Sequence, residues 1–586
     1  MAVHGALVLL VARRNNEEVW MKDRGFMIVG VAVAAWFLAG VETGFAAPNA
    51  WQTTAGNWET AGNWSDGVPD GSDAISITNN SASATLGNGA ADFDLGMNAT
   101  SITVGANSGL AAMTVNFTNS MKTQYVGGAS SGNITIGEKT AGKVGLLTVN
   151  NGNIDTYKLV VGQGAGTSGR LVINGGRINV RSGDWPLPGF SVGESVEGQI
   201  GNSTGTVIMT GGELYLPDTA PYAVIGSWGK GTMIISNGVF SARYVEVGYV
   251  GQGELKIYGG TNLVRSQMLI PSHSVGRGTV LVDGGTLDAP VASVSYVYLN
   301  NGTLTVSNGF ANLTALSMGN TPGKYAEFNV AGGTSTLFYA NQRGRIGVVA
   351  GATGVVNVTG GLLNCLDVQI IGVAGRGTLN VSGGLSKNAY TWIGYQAGGF
   401  GNLNITGGTY KNDPNFCEIH RGAILVNGGV FTNPGTTMVI GKLAGQTGTV
   451  TVASGTFSVP NCTTTVGNPG VGMLEVQGKN STIALKALTA DTANSTVKFT
   501  LGATGVSPIA VANALTVTSD TKLVVDVSNY DTANGYTVDL ITYGTMPTPF
   551  AAITITGGHG GETITQTGSK VTLNVPKPYG TIYSVM

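Results

Sequence analysis

The sequence predicts an all-β chain, a single-stranded parallel β-helix (β-solenoid) of about 14 rungs with β-rich caps at both ends. Three observations carry this. A short pattern, apolar-x-apolar-x-Gly/small-Gly, recurs fourteen times down the middle of the chain. The steps between its openings are mostly 21 to 28 residues, with one of 36 between Leu171 and Val207. A fixed period in that range marks a solenoid, and it is too short for the four strands of a propeller blade. Composition agrees: 93 of 586 residues are Gly and only 11% are charged, under half the usual ~25%. At 42% hydrophobic the chain can bury a long core. Thr, Val, Ile, Asn and Gly dominate, which suits strands and tight turns.

The repeat opens at Leu147-Thr-Val149-Asn-Asn-Gly152, Leu171-Val-Ile173-Asn-Gly-Gly176 and Val207-Ile-Met209-Thr-Gly-Gly212. It continues from Met233, Leu255, Val280, Leu304, Phe328, Val356, Leu379, Leu403, Ile424, Val450 and Leu474. Within each copy two apolar residues flank a polar one, as in Leu379-Asn380-Val381. Period-two alternation means a strand with one buried face. The following Gly pair supplies positive φ for a corner. A second strand follows, such as Gly408-Thr-Tyr410. A third marker, apolar-Gly, then recurs, as at Ile371-Gly372, Ile393-Gly394 and Ile440-Gly441. Three short strands and three corners make one rung. Rungs at about 4.8 Å would give a rod on the order of 65 Å long. Leu379 and Val381 should lie over Leu403 and Ile405 inside, while Asn357, Asn380 and Asn404 stack outside.

Four stretches follow from the pattern. Residues 1–46 form an N-terminal extension plus a signal peptide. Lys22 and Arg24 precede an uncharged apolar run, Gly25 to Val41, and Gly44-Phe-Ala46 places small residues before a cleavage site. Translation is expected from Met21 and cleavage after Ala46, leaving no membrane span. Residues 47–125 form a Trp-rich cap and the first rungs, with Trp51, Trp58 and Trp64 stacked over the open end. Residues 126–480 hold the β-helix repeats. Residues 481–586 lose the Gly-Gly rhythm but keep alternating segments, as in Lys522-Leu-Val-Val-Asp-Val527, and read as a β-rich cap or small β-domain.

The Asn57-Trp58…Asn63-Trp64-Ser-Asp-Gly-Val-Pro69 segment and the repeated Gly-x-Leu-x-Val-x-Gly-Gly resemble bacterial secreted proteins with autotransporter-associated β-strand repeats. Many such proteins end in a PEP-CTERM sorting tag. Two departures matter: no membrane-barrel domain follows, and Val575-Pro-Lys-Pro578 is at most the start of a sorting tag. The resemblance implies a Gram-negative exported protein, periplasmic, surface-associated or extracellular, and specifies no activity.

The net charge of -2 steers neither nucleic acid nor an anionic membrane. Cys365, Cys417 and Cys462 lie too far apart for a disulfide framework or a zinc site. The densest carboxylates, Asp184, Glu194, Glu197, Glu213 and Asp218, read as a solvated loop. Cys417-Glu418-Ile-His420-Arg421 is the one compact reactive-looking cluster, and His420 reads as a surface corner. No catalytic, cofactor or metal site is assigned. Aromatics are more informative: an exposed ring offers a sugar both apolar area and a polar edge. Trp185, Tyr222, Trp228, Tyr249, Trp392 and Tyr395 are the candidate carbohydrate contacts. The reading is an exported structural or adhesive β-solenoid of the cell surface or matrix, with polysaccharide or cell-envelope components as partners. The alternative is a secreted polysaccharide-active enzyme or carbohydrate-binding protein on the same scaffold.

Overall fold

Glycine corners and two-residue alternation set the path of this chain. The computed structural model describes residues 47–69, 73–78, 82–86, 101–106, 110–122, 132–137, 142–181, 188–195, 201–218, 222–289, 296–337, 344–531, 536–546, 548–558 and 560–576. The expected signal segment, 1–46, and Lys577 and Pro578 of the tag-like sequence lie outside them. The described residues form 44 strands and one short 3-10 turn, Ala61–Asn63. Nearly all strand pairs are parallel, and the coils stack as a β-solenoid of about sixteen turns.

One coil illustrates the rest. Arg376–Val381 pairs in parallel with Thr353–Val358 below and Phe400–Ile405 above, forming sheet one. Leu385–Ile393 bends midway. Its first half pairs with Thr409–Asn412 in sheet two, and its second half pairs with Phe416–Ile419 in sheet three. Leu379 lies beside Leu403 and Val381 beside Ile405, as the alternation requires, and all four are fully buried. The predicted outer ladder forms as well. Asn380 Nδ2 donates to Asn357 Oδ1 at 2.8 Å, and Asn404 Nδ2 donates to Asn380 Oδ1 at 2.9 Å. Asn329 extends it, accepting from Asn357 Nδ2 at 2.8 Å.

Corners require glycine for a steric reason. Gly372 has φ +79°, and a Cβ there would lie 2.3 Å from the carbonyl oxygen of Phe400 on the next coil. The backbones of successive coils touch at this corner, so any side chain would push them apart.

The repeat count of fourteen undercounts the coils because both ends drop the Gly-Gly punctuation but keep the strands. Met113 pairs with Leu147 on one side. Leu474 pairs with Val497 and Val497 with Leu523 on the other. Parallel pairing continues to Ala552–Thr556. The end is then turned back by antiparallel strands: Lys570–Val575 pairs with both Tyr536–Thr545 and Thr563–Gln566. At the other end Trp51, Trp58 and Trp64 join the core. They pack edge to face rather than stacked, with ring centroids 4.9 Å apart for Trp51–Trp64 and 4.5 Å for Trp58–Trp64. The Trp64 indole also donates to the Trp58 carbonyl at 2.8 Å. Ring edges against ring faces suit the aromatic quadrupole.

The interior is not wholly apolar. Asn388, Asn412 and Asn433 form a fully buried column. Asn388 Nδ2 donates to Asn412 Oδ1 at 2.9 Å, and Asn412 Nδ2 donates to Asn433 Oδ1 at 3.0 Å. The Thr391 hydroxyl bonds the Tyr410 phenol at 2.8 Å. Tyr410, Phe431 and Phe457 stack beside it from coil to coil, with successive centroids 5.8 and 4.8 Å apart.

Candidate functional site

Sheet three presents an outer face unlike that of sheet one. On sheet one, inward residues are buried and outward ones half-exposed. On sheet three, Val160, Ser191, Val224, Glu246 and Ile370 point outward by alternation yet are buried. Much of this face is therefore covered, and most of the candidate aromatics lie along it or at its edge.

Two groups of aromatics form. In the first, Tyr222 and Tyr244 are register partners on adjacent coils and stack 4.8 Å apart. Trp228 meets Tyr249 edge to face at 6.1 Å, and Tyr249 meets His273 at 5.9 Å. In the second, Trp392 stacks on Tyr395 at 4.7 Å, across the Ile393-Gly394 corner. Tyr390 packs against Phe416 at 4.8 Å. The Trp392 indole donates to Glu418 Oε2 at 3.2 Å, and Glu418 also contacts His420 and Lys442 at 3.3 Å each. Burial alone would raise the Glu418 carboxyl, but His420 and Lys442 outweigh it and hold it below the usual range. Trp185 lies outside the described residues; of the other five candidates the structure joins Trp228 to Tyr249 and Trp392 to Tyr395, while Tyr222 stacks on Tyr244 instead.

Trp228 lines a shallow cleft of about 420 Å³ with Asn202, Ser203, Lys230, Gln252 and Arg277. This one-sided opening combines an aromatic wall, amides and two cations. Sequence reasoning singled out Trp228 but not the cations. The available signal was position: Lys230 and Arg277 each stand directly before the glycine that opens a repeat strand.

The reactive-looking residues do not converge. Cys417 points into the core while His420 lies on the outer side of the same coil. His420 is also more enclosed than a surface corner, with its side chain 12% exposed against Glu418. All three cysteines are free and buried. Burial pushes the Cys365 thiol up to about 12 and raises Cys417 and Cys462 as well, the reverse of nucleophile activation. The carboxylate group is partly inside the fold: Glu194 is 17% exposed and paired to Lys158 at 3.2 Å. Glu213 pairs with Arg177 at 3.5 Å and Asp218 with Arg265 at 3.0 Å. Each of these three carboxylates has a cation beside it; Glu194 is largely enclosed, whereas Asp218 is 72% exposed, as the solvated reading expects, and Asp184 and Glu197 lie outside the described residues. Among the described residues no group of three His, Cys, Asp or Glu could hold a metal ion. Nor is any described helix long and apolar enough to cross a membrane.

Fold and surface together define a β-solenoid with aromatic groups and a polar cleft along its outside. No known protein family, curated protein or solved structure matches the chain.

Proposed function

We propose that the chain is an exported structural or adhesive β-solenoid of the cell surface or extracellular matrix. The observation that carries this is one continuous parallel stack whose outer faces repeat the same side-chain positions from coil to coil. Such a rod offers many equivalent contacts along its length, which suits multivalent attachment. The apolar run behind Lys22 and Arg24, followed by small residues at Gly44 and Ala46, supports export.

A carbohydrate-binding role on the same scaffold is the second reading, favoured by Trp228 at its polar cleft and by the Trp392–Tyr395 stack. The test is fractionation of the native cells, with N-terminal sequencing and surface labelling of the recovered protein. A chain beginning at or near Ala47 and labelled on intact cells is the expected result. Recovery from the cytoplasm with residues 1–46 intact would overturn the proposal.

A further inference from the structure

The residue before each repeat strand faces outward, and parallel register brings these residues into one column on the edge of sheet one. Lys230, Gln252 and Arg277 are successive partners in it. Tyr325, Thr353, Arg376 and Phe400 continue it, and Arg421, just before the Gly401–Gly422 pair, comes next. From Thr204 to Val471 the column holds four cations and no carboxylate. This is a strong local bias in a chain of net charge -2. Lys230, Arg277 and Arg376 are exposed, and none is ion-paired to a carboxylate among the described residues. Tyr325 is 48% and Phe400 37% exposed, and the Arg421 guanidinium sits over the Phe400 ring at 6.0 Å. Beside the column run threonines, Thr232, Thr279, Thr303 and Thr378, offering hydroxyls. The two acids in that neighbouring line are otherwise engaged: Glu254 with Lys256 at 2.9 Å and Glu327 with Asn357 at 3.0 Å.

We propose that this column binds one linear anionic polysaccharide, laid parallel to the solenoid axis with its acidic groups on Lys230, Arg277, Arg376 and Arg421. The proposal rests on the adhesive reading and names its partner. Spacing selects the ligand class. Lys230 to Arg277, and Arg376 to Arg421, are each two coils apart, roughly 10 Å. That matches alternate acidic groups along an extended glycan that carries one on each sugar. Duplex DNA carries a charge per about 1.7 Å of axis, far denser than this strip can neutralise. Tyr325 and Phe400 supply ring faces between and beside the cations for the sugars themselves. The cleft at Trp228 lies at one end of the column, where Lys230 and Arg277 form part of its wall.

The experiment compares binding of the purified full chain to polygalacturonate, to neutral dextran and to a DNA duplex by affinity electrophoresis. A variant carrying Lys230→Gln, Arg277→Gln, Arg376→Gln and Arg421→Gln is run beside it. Lys230, Arg277 and Arg376 are exposed and Arg421 is half-exposed, so an unchanged melting temperature verifies that the variant is folded. The proposal expects polygalacturonate to be retained most strongly and released by salt. It also expects the variant to lose roughly tenfold or more in affinity. Equal retention of dextran, preferential retention of DNA, or a variant that binds polygalacturonate as before would each overturn it. None of those results touches the surface location, which fractionation tests separately, so the two readings fail independently.

Discussion

Two columns run along the same face of sheet one, four residues apart in each coil, and they use polar groups in opposite ways. In the column of Asn329, Asn357, Asn380 and Asn404 each amide from Asn357 onward donates to the asparagine on the coil before it. In the column of Lys230, Arg277, Arg376 and Arg421 one sign of charge recurs, and the register partners beside these cations, such as Gln252, Thr353 and Phe400, carry no carboxylate. The first column binds the rod to itself. The second leaves Lys230, Arg277 and Arg376 exposed with no carboxylate partner among the described residues, while Arg421 donates to the Ala397 carbonyl and lies over the Phe400 ring. Identical geometry thus separates a structural ladder from a recognition strip by one criterion, whether the side chains complement their own copies.

The comparison breaks most severely on crossing the sheet. One residue beyond Asn380, Val381 faces inward and is fully buried between Val358 and Ile405. Val381→Asp places a carboxylate there with no cation in reach of the stack. The expected loss is at least about 3 kcal/mol, read as a large fall in the urea midpoint. Wild-type melting behaviour would mean that Val381 is not interior.

A milder change sharpens the contrast between the columns. Asn380→Ala removes one donor and one acceptor from the ladder, so a loss of about 1 kcal/mol is expected. Arg376→Gln, in the same strand and on the same face, should stay within about 0.5 kcal/mol of wild type. Equal destabilisation by the two would erase the distinction drawn above.

How much of this was legible in the sequence varies with the face. The inward residues of sheet one and the outer asparagine ladder follow from alternation and a fixed period, because parallel register repeats each position on its neighbour. Equivalent reasoning fails for Asn388, Asn412 and Asn433. Their residue type reads as surface, and only the path of sheet two turns them inward, where mutual amide bonds replace water. Cys417 and His420 are close in sequence, yet Cys417 faces inward from the strand Phe416–Ile419 while His420 sits just past its end, on the outer side. The cation column was hidden for a different reason: its members lie 20 or more residues apart in sequence, and no single copy of the repeat is basic. The burial of outward positions on sheet three, such as Glu246 beneath the Ser272 N–H, carries no periodic signal either.

That covered face gives the smallest and most specific prediction. Glu246 faces outward on sheet three beside Tyr222 and Tyr244, yet it is only 3% exposed. It accepts from the Ser272 backbone N–H at 3.0 Å. Burial pushes its carboxyl above the ordinary range, against the opposing effect of Ser272. A raised carboxylate pKa means that the folded state disfavours the charge. The penalty is present above the folded pKa and is relieved as pH falls through that value towards the ordinary ~4.3 of a glutamate. Glu246→Gln keeps the acceptor for Ser272 and removes the charge. It should therefore raise the melting temperature slightly at pH 7 and leave it unchanged at pH 4, where wild type is itself neutral. A Glu246→Gln variant that melts lower than wild type at pH 7 would show that the carboxylate is solvated or paired there. The outer face of sheet three would then be open like that of sheet one, and the difference between the two faces would disappear.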